Sequence, residues 1–196
     1  MNYLAHIYLS GSDPDVQVGG LLGDFIKGPL RGELPASVER GVRLHRRIDT
    51  TTDAHPAFRD ALADMPRPWR RFGGILLDVY FDHLLASDWQ HFHHQPLDVF
   101  CQEFYGHLTA RDAMLPPGAR RFCDVAPRVR WLQSYAEPAN IPRMLDNIGQ
   151  RLRQPMPLGE AWTYLDDQRA SLEICFAQLM AEHEVFSRRF LADGDR

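Results

Sequence analysis

The sequence predicts an all-α protein folded as a single domain, and three observations carry that prediction. Apolar residues recur at near-helical spacing along most of the chain, as in Phe72, Leu76, Val79, Leu84 and Trp89. No segment alternates apolar and polar residues with the period of two that a half-buried strand needs. With 196 residues, no internal repeat and no Ser/Gly linker, the chain has room for one core and no visible boundary, so one helical domain is expected over residues 1–196.

Taken in order, short helices are expected at about 2–10 and 15–27, with boundaries good to roughly 2–4 residues. Residues 35–54 form the next, with Val38, Val42, Leu44 and Ile48 on one stripe, Pro35 at the start, and a threonine run followed by His55-Pro56 at the end. A short helix follows at about 56–64. The segment 67–92 reads as one long helix, with Pro68 where a first turn tolerates it. Further helices are expected at about 96–112, 118–134 and 138–152. From Leu158 to Phe190, Trp162, Leu165, Leu172, Phe176, Leu179 and Phe186 mark one long helix or two consecutive ones.

A hydrophobic fraction of 44% with 24% charged residues belongs to a globular protein and excludes a disordered chain. The first residues lack the basic start and long apolar run of a signal peptide, and no stretch approaches the ~20 apolar residues of a membrane span. A cytoplasmic location without a membrane partner is therefore expected. Cys101, Cys123 and Cys175 are widely spaced and odd in number, which points to buried reduced thiols rather than disulfides or a zinc site. The net charge of −4 argues against a nucleic-acid partner held by global charge. Of the 22 basic residues only Lys27 is a lysine, and the arginines cluster at 43/46/47, 67/70/71, 120/121, 128/130 and 151/153. Guanidinium forks suit phosphate or carboxylate, although solvated surface is the plainer account of any single cluster.

One constellation stands out. On a helix, His45 and Asp49 are four residues apart, as are Asp49 and Asp53, so they share a face. Asp78 and Asp82 repeat that spacing on an otherwise apolar helix, with His83 adjacent. His6 sits among apolar neighbours in YLAHIYL, and Asp24 interrupts GGLLGDFIKG, where Gly19, Gly20 and Gly23 let the backbone approach something closely. Singly, each has a dull explanation: His6 as a hydrogen-bonded core residue, or Asp49 and Asp78 paired with Arg46 or Arg43. Together, carboxylates and imidazoles without thiolate suggest a divalent-metal site between helices, suited to Mn²⁺, Mg²⁺ or Fe. Flanking Arg46 and Arg47 add the charge that phosphate ester hydrolysis uses. His91, His93 and His94 lie where the long helix weakens toward Pro96 and read as a helix-end surface cluster.

The segments MNYLAHIYLS, GGLLGDFIKG, LHRRIDTTTDAHPAF and ILLDVYFDHLLASDW, in that order over residues 1–89, resemble the acyl carrier protein phosphodiesterase family. The resemblance implies an all-helical fold distantly similar to HD-type metal-dependent phosphohydrolases. It further implies removal of 4′-phosphopantetheine from holo acyl carrier protein, with Mn²⁺ as the usual cofactor. On matching positions it implies Asp24, His45, Asp49, Asp78, Asp82 and His83 as functional residues, the doublet Asp82-His83 being reversed relative to a standard HD pair.

The resulting expectation is that His6, Asp24, His45, Asp49, Asp82 and His83 surround one or two ions. Asp78 is expected to orient a histidine or to ligate, Arg46 and less directly Arg47 to hold phosphoryl charge, and Asp53 to cap or pair nearby. The arginine patches are expected to receive the acidic carrier. Two alternatives stay open: a metal-dependent phosphohydrolase of nucleotides or other small phosphodiesters, and a non-catalytic helical binding protein whose histidines and aspartates are structural ion pairs.

Overall fold

Two glycines decide how closely the second and third helices meet. The computed structural model describes residues 1–193, and in it α1 (Tyr3–Leu9) leads into α2 (Pro14–Leu22) and α3 (Ala36–Ala54). A Cβ on Gly19 would lie 2.1 Å from the Val38 carbonyl oxygen, and one on Gly41 would lie 2.2 Å from that of Val16. Only hydrogen fits at either position, so the α2 and α3 backbones touch. Asp13 starts α2 by accepting the Asp15 and Val16 amides, with Pro14 in the first turn, where no amide is needed. The helix stops at Leu22, before the expected 27, because Gly23 opens an irregular segment.

At the end of α3, His55 turns the chain and its ring accepts the Ala57 amide, which begins α4 (Pro56–Asp64). The helix expected over 67–92 is broken in two places: a 3-10 turn spans Trp69–Phe72, then α5 (Gly73–Ser87) and α6 (Trp89–Phe92) are separated at Asp88. α5 is the centre of the molecule. Leu76, Leu77, Tyr80, Phe81 and Leu85 are all fully buried, so it is apolar on nearly every side, as a helix enclosed by others must be.

The chain continues through α7 (Leu97–Thr109), α8 (Pro117–Val125), α9 (Ile141–Gly149), α10 (Trp162–Asp167) and α11 (Arg169–Ala192), and α1, α9 and α11 pack against α5. The helix expected to 134 ends at Val125. Pro127 lacks the amide that a further turn would use, and the chain instead passes through Arg130, whose φ is +51°, into a 3-10 turn at Gln133–Ala136. The expected 138–152 helix begins with a 3-10 turn and is regular only within α9. The 158–190 segment is a 3-10 turn at Leu158–Ala161 followed by α10 and α11.

No strand occurs among the described residues. Cys101 and Cys175 are buried, Cys123 is half-buried, and all three are free thiols. Among the described residues no helix is long and apolar enough to cross a membrane.

Candidate metal centre

α1 and α3 bring three of the expected ligands together. His6 and His45 are buried and stack with ring centroids 3.7 Å apart. The Asp49 carboxylate bridges them, its Oδ1 3.0 Å from His6 Nε2 and its Oδ2 3.1 Å from His45 Nε2. One ligand atom from each of the three residues lies within 4.8 Å of the others. Among the described residues no other His, Cys, Asp or Glu trio converges this closely.

The hydrogen bonds fix the chemistry of the trio. His45 Nδ1 is 2.7 Å from the Gly20 carbonyl oxygen, and a carbonyl can only accept, so Nδ1 carries the proton. Nε2 and the carboxylate oxygen then share either a proton, with the ring charged, or a metal cation. His6 Nε2 faces both Asp49 and the Met1 carbonyl oxygen, 3.0 Å away, and its Nδ1 is buried without a partner.

Burial and the neighbouring His45 push the His6 pKa down to about 3, against the pull of Asp49. Burial works to raise the Asp49 pKa, but hydrogen bonds from His45 and His6 outweigh it and hold the carboxyl well below its usual range. At neutral pH His6 is therefore a neutral imidazole beside an ionised carboxylate, with its one proton on Nε2 facing two acceptors, and ligating an ion through Nε2 would require that proton to move to the unpartnered Nδ1.

A pocket of about 280 Å³ opens beside the trio, lined by His45, Asp49, Asp24, Lys27 and Arg46. Gly23 makes it possible: a Cβ there would lie 2.1 Å from His45 Cγ, so the imidazole rests against bare backbone at the end of α2. Arg46 is anchored by donating from Nη2 to the Ile26 carbonyl at 2.9 Å. Asp24 lies at the open side of the pocket. Protein crowding its carboxyl raises the pKa, with His45 opposing and Asp49 adding to the shift.

The other expected residues take different places. Asp82 is wholly buried and accepts the Leu4 and Ala5 amides at 2.8 and 3.0 Å. It therefore satisfies the amino end of α1 rather than joining the trio, and burial raises its pKa to about 7. His83 points along another flank of α5, its Nδ1 2.8 Å from the Tyr135 carbonyl and its ring against Trp162. The expected six-ligand set is corrected accordingly: Asp24, Asp82 and His83 do not converge with the trio, Asp82 because its carboxylate holds the start of α1 and His83 because its Nδ1 is turned to the 133–136 turn, leaving Nε2 buried without a partner. Asp78 accepts from the Met1 ammonium at 2.6 Å. Asp53 and Arg47 are exposed on α3. His91 pairs with Asp88 at the surface, and His93 stacks on His94, away from the trio.

Some neighbours carried no sequence signal. The Met1 carbonyl contact to His6 and the 2.8 Å contact of Thr52 Oγ1 with His183 Nε2 join residues with no shared periodicity. Lys27 could have been singled out as the sole lysine among clustered arginines.

A family model described as acyl carrier protein phosphodiesterase matches residues 1–183. The chain belongs to the acyl carrier protein phosphodiesterase family. Relatives of that name include one from Serratia proteamaculans, 34% identical over 170 residues, covering 86% of this chain and 87% of the relative. One from Klebsiella pneumoniae is 32% identical over 180 residues, covering 90% and 92%, and one from Yersinia pestis is 31% identical over 180 residues, with the same coverage. No solved structure matches. The span matched by the acyl carrier protein phosphodiesterase family contains the whole trio and the pocket beside it, and ends at His183.

Proposed function

We propose that this chain hydrolyses the phosphodiester joining 4′-phosphopantetheine to the serine of holo acyl carrier protein, using a divalent cation held by His6, His45 and Asp49. Membership of the family supports the substrate. The observation that carries the metal is the meeting of His45 Nε2 with Asp49 Oδ2 at 3.1 Å while His45 Nδ1 is committed to Gly20. Two imidazoles and a carboxylate, without thiolate, suit Mn²⁺, with Mg²⁺ or Fe²⁺ as the other candidates.

When bound, such an ion supplies positive charge beside the phosphoryl oxygens and acidifies water. The protein's own side chains do the rest. Gly20 orients His45 through Nδ1, a role typical of the partners of a ligating histidine. Lys27 and Arg46 line the pocket and attract the phosphodiester anion, Arg46 with its guanidinium already fixed by Ile26. Asp24, with its raised pKa, is suited to deliver a proton to the departing serine Oγ. Water oxygen bonds to phosphorus, the bond to serine Oγ breaks, and phosphopantetheine leaves as a phosphomonoester. The apo carrier is the second product, and we place the reaction in the cytoplasm.

The test is conversion of holo to apo carrier protein with added Mn²⁺, followed by gel shift. Conversion is expected, with loss on chelation and in Asp49→Ala. Failure with the parent protein and metal present, or hydrolysis of nucleotides in place of the carrier, would overturn the reading.

A further inference from the structure

Hydrolysis at the carrier's serine requires that serine itself to reach the metal centre, so the body of the carrier must rest on surface adjoining the pocket. One groove, linked to the pocket by a run of rings, has the right chemistry. Residues 120–153 hold seven arginines against three acids, Asp124, Glu137 and Asp146, within a chain whose net charge is −4. There Val125, Val129, Trp131, Met144 and Arg143 line a groove of about 310 Å³. Val125 and Val129, 42% and 55% exposed, stand together on this one groove and so form a small apolar patch.

The groove is held in shape at some conformational cost. Arg130 adopts a φ of +51°, which L side chains rarely take. Its turn is pinned from inside. Tyr105 Oη accepts the Leu132 amide at 3.0 Å and donates to Gln133 Oε1 at 3.1 Å. Gln133 Nε2 and Arg130 each reach Asp98 at 3.0 Å. The same turn sets Arg128 and Val129 outward, and neither Arg128 nor Arg143 has an ion-pair partner among the described residues.

A line of rings joins the groove to the pocket. Trp131 meets Phe122 at 6.0 Å, Phe122 meets Tyr3 edge-on at 5.1 Å, and Tyr3 stacks on Phe25 at 6.2 Å. Phe25 lies next to Asp24, and the start of α8 abuts it at Gly118. Groove and pocket are thus linked by a continuous run of contacting rings.

We propose that this groove is the docking face for the carrier protein. Acidic groups of the carrier beside the modified serine pair with Arg128 and Arg143, and apolar surface next to them seats on Val125, Val129 and the edge of Trp131. This rests on the phosphodiesterase reading above and adds which surface selects the substrate. Charge pairs at the rim chiefly raise the rate of encounter and register the partner, while the exposed valines supply the apolar contact that screening does not weaken.

The test compares KM and kcat for holo carrier protein between the parent enzyme, Arg128→Glu/Arg143→Glu, Val129→Asp, and Arg188→Glu/Arg189→Glu on α11 as a control of equal charge change. The groove double variant and Val129→Asp should each raise KM roughly tenfold or more at low salt, with kcat within about twofold. Added salt should raise KM for the parent far more than for the double variant. The α11 control should leave KM within about twofold of the parent. Circular dichroism and the Mn²⁺-induced rise in Tm report that each variant is folded with its metal centre intact. Unchanged KM in both groove variants, or an equal rise in the α11 control, would overturn the docking face while leaving the proposed function standing. A parent enzyme that leaves the carrier unprocessed would remove both.

Discussion

His45 Nε2 and Asp49 Oδ2 face each other at 3.1 Å, while Nδ1 of the same ring donates to the Gly20 carbonyl. The contact is one that a proton on Nε2 or a metal cation completes.

Metal binding should show as stability. Adding Mn²⁺ at 100 times its dissociation constant should stabilise the fold by about 2.7 kcal/mol, which for a domain of this size raises Tm by roughly 5–10 °C. His45→Ala and Asp49→Ala should each abolish the rise. A shift that survives in both variants would place the ion elsewhere.

Acid should weaken the metal-free protein through its buried histidines. His6 and His183, lowered to about 3 and about 4, refuse protons in the folded state that the unfolded chain accepts below about pH 6.5. Each contributes a loss of up to ~1.4 kcal/mol per pH unit as pH falls through that window. Asp82, raised to about 7, works the other way below neutrality and offsets part of the loss, while buried His83, also lowered by burial, adds to it. Denaturant titrations at pH 7 and pH 5 measure the slope. NMR of the ring nitrogens should find His6 neutral at pH 5, and a His6 titration near 6.5 would refute the assignment.

Asp82 should behave as a helix anchor rather than a ligand. Asp82→Ala strands the buried Leu4 and Ala5 amides and should cost about 2–4 kcal/mol, with hydrogen exchange rising first in α1. Mn²⁺ should still raise the Tm of this variant. Unchanged stability with lost metal binding would make Asp82 a ligand.

Two glycine substitutions should separate fold from site. Gly19→Ala drives a Cβ into the Val38 carbonyl and should cost about 3 kcal/mol. Gly23→Ala meets the His45 ring instead. It should leave the helical signal intact while weakening Mn²⁺ binding at least tenfold, as read by calorimetry.

Much of this was legible in the sequence for identifiable reasons. The His45–Asp49 spacing lies within one helix, so local geometry alone places them together. The glycines of the 19–23 segment foretold close approach without saying to what. Asp82 was misleading because a buried carboxylate has the same sequence signature whether it caps a helix or holds an ion. Only the position of the α1 amino end decides between them, and that is set by tertiary packing. The break at Asp88 was hidden because Trp89 continues the apolar stripe across it. The end of α8 was hidden because Phe122, Val125 and Val129 keep helical spacing through the turn.

The clasp between Thr52 and His183 bears on how small a working version of this protein can be. All three ligands fall within the first 49 residues, which invites cutting out a minimal metal-binding peptide. Yet the turn of α3 just beyond Asp49 is roofed by the last helix, with Ile48 and Thr52 sealed from water. A fragment lacking that roof would bare both side chains and let the face of α3 that carries His45 and Asp49 unwind, so the geometry of the trio belongs to the whole domain.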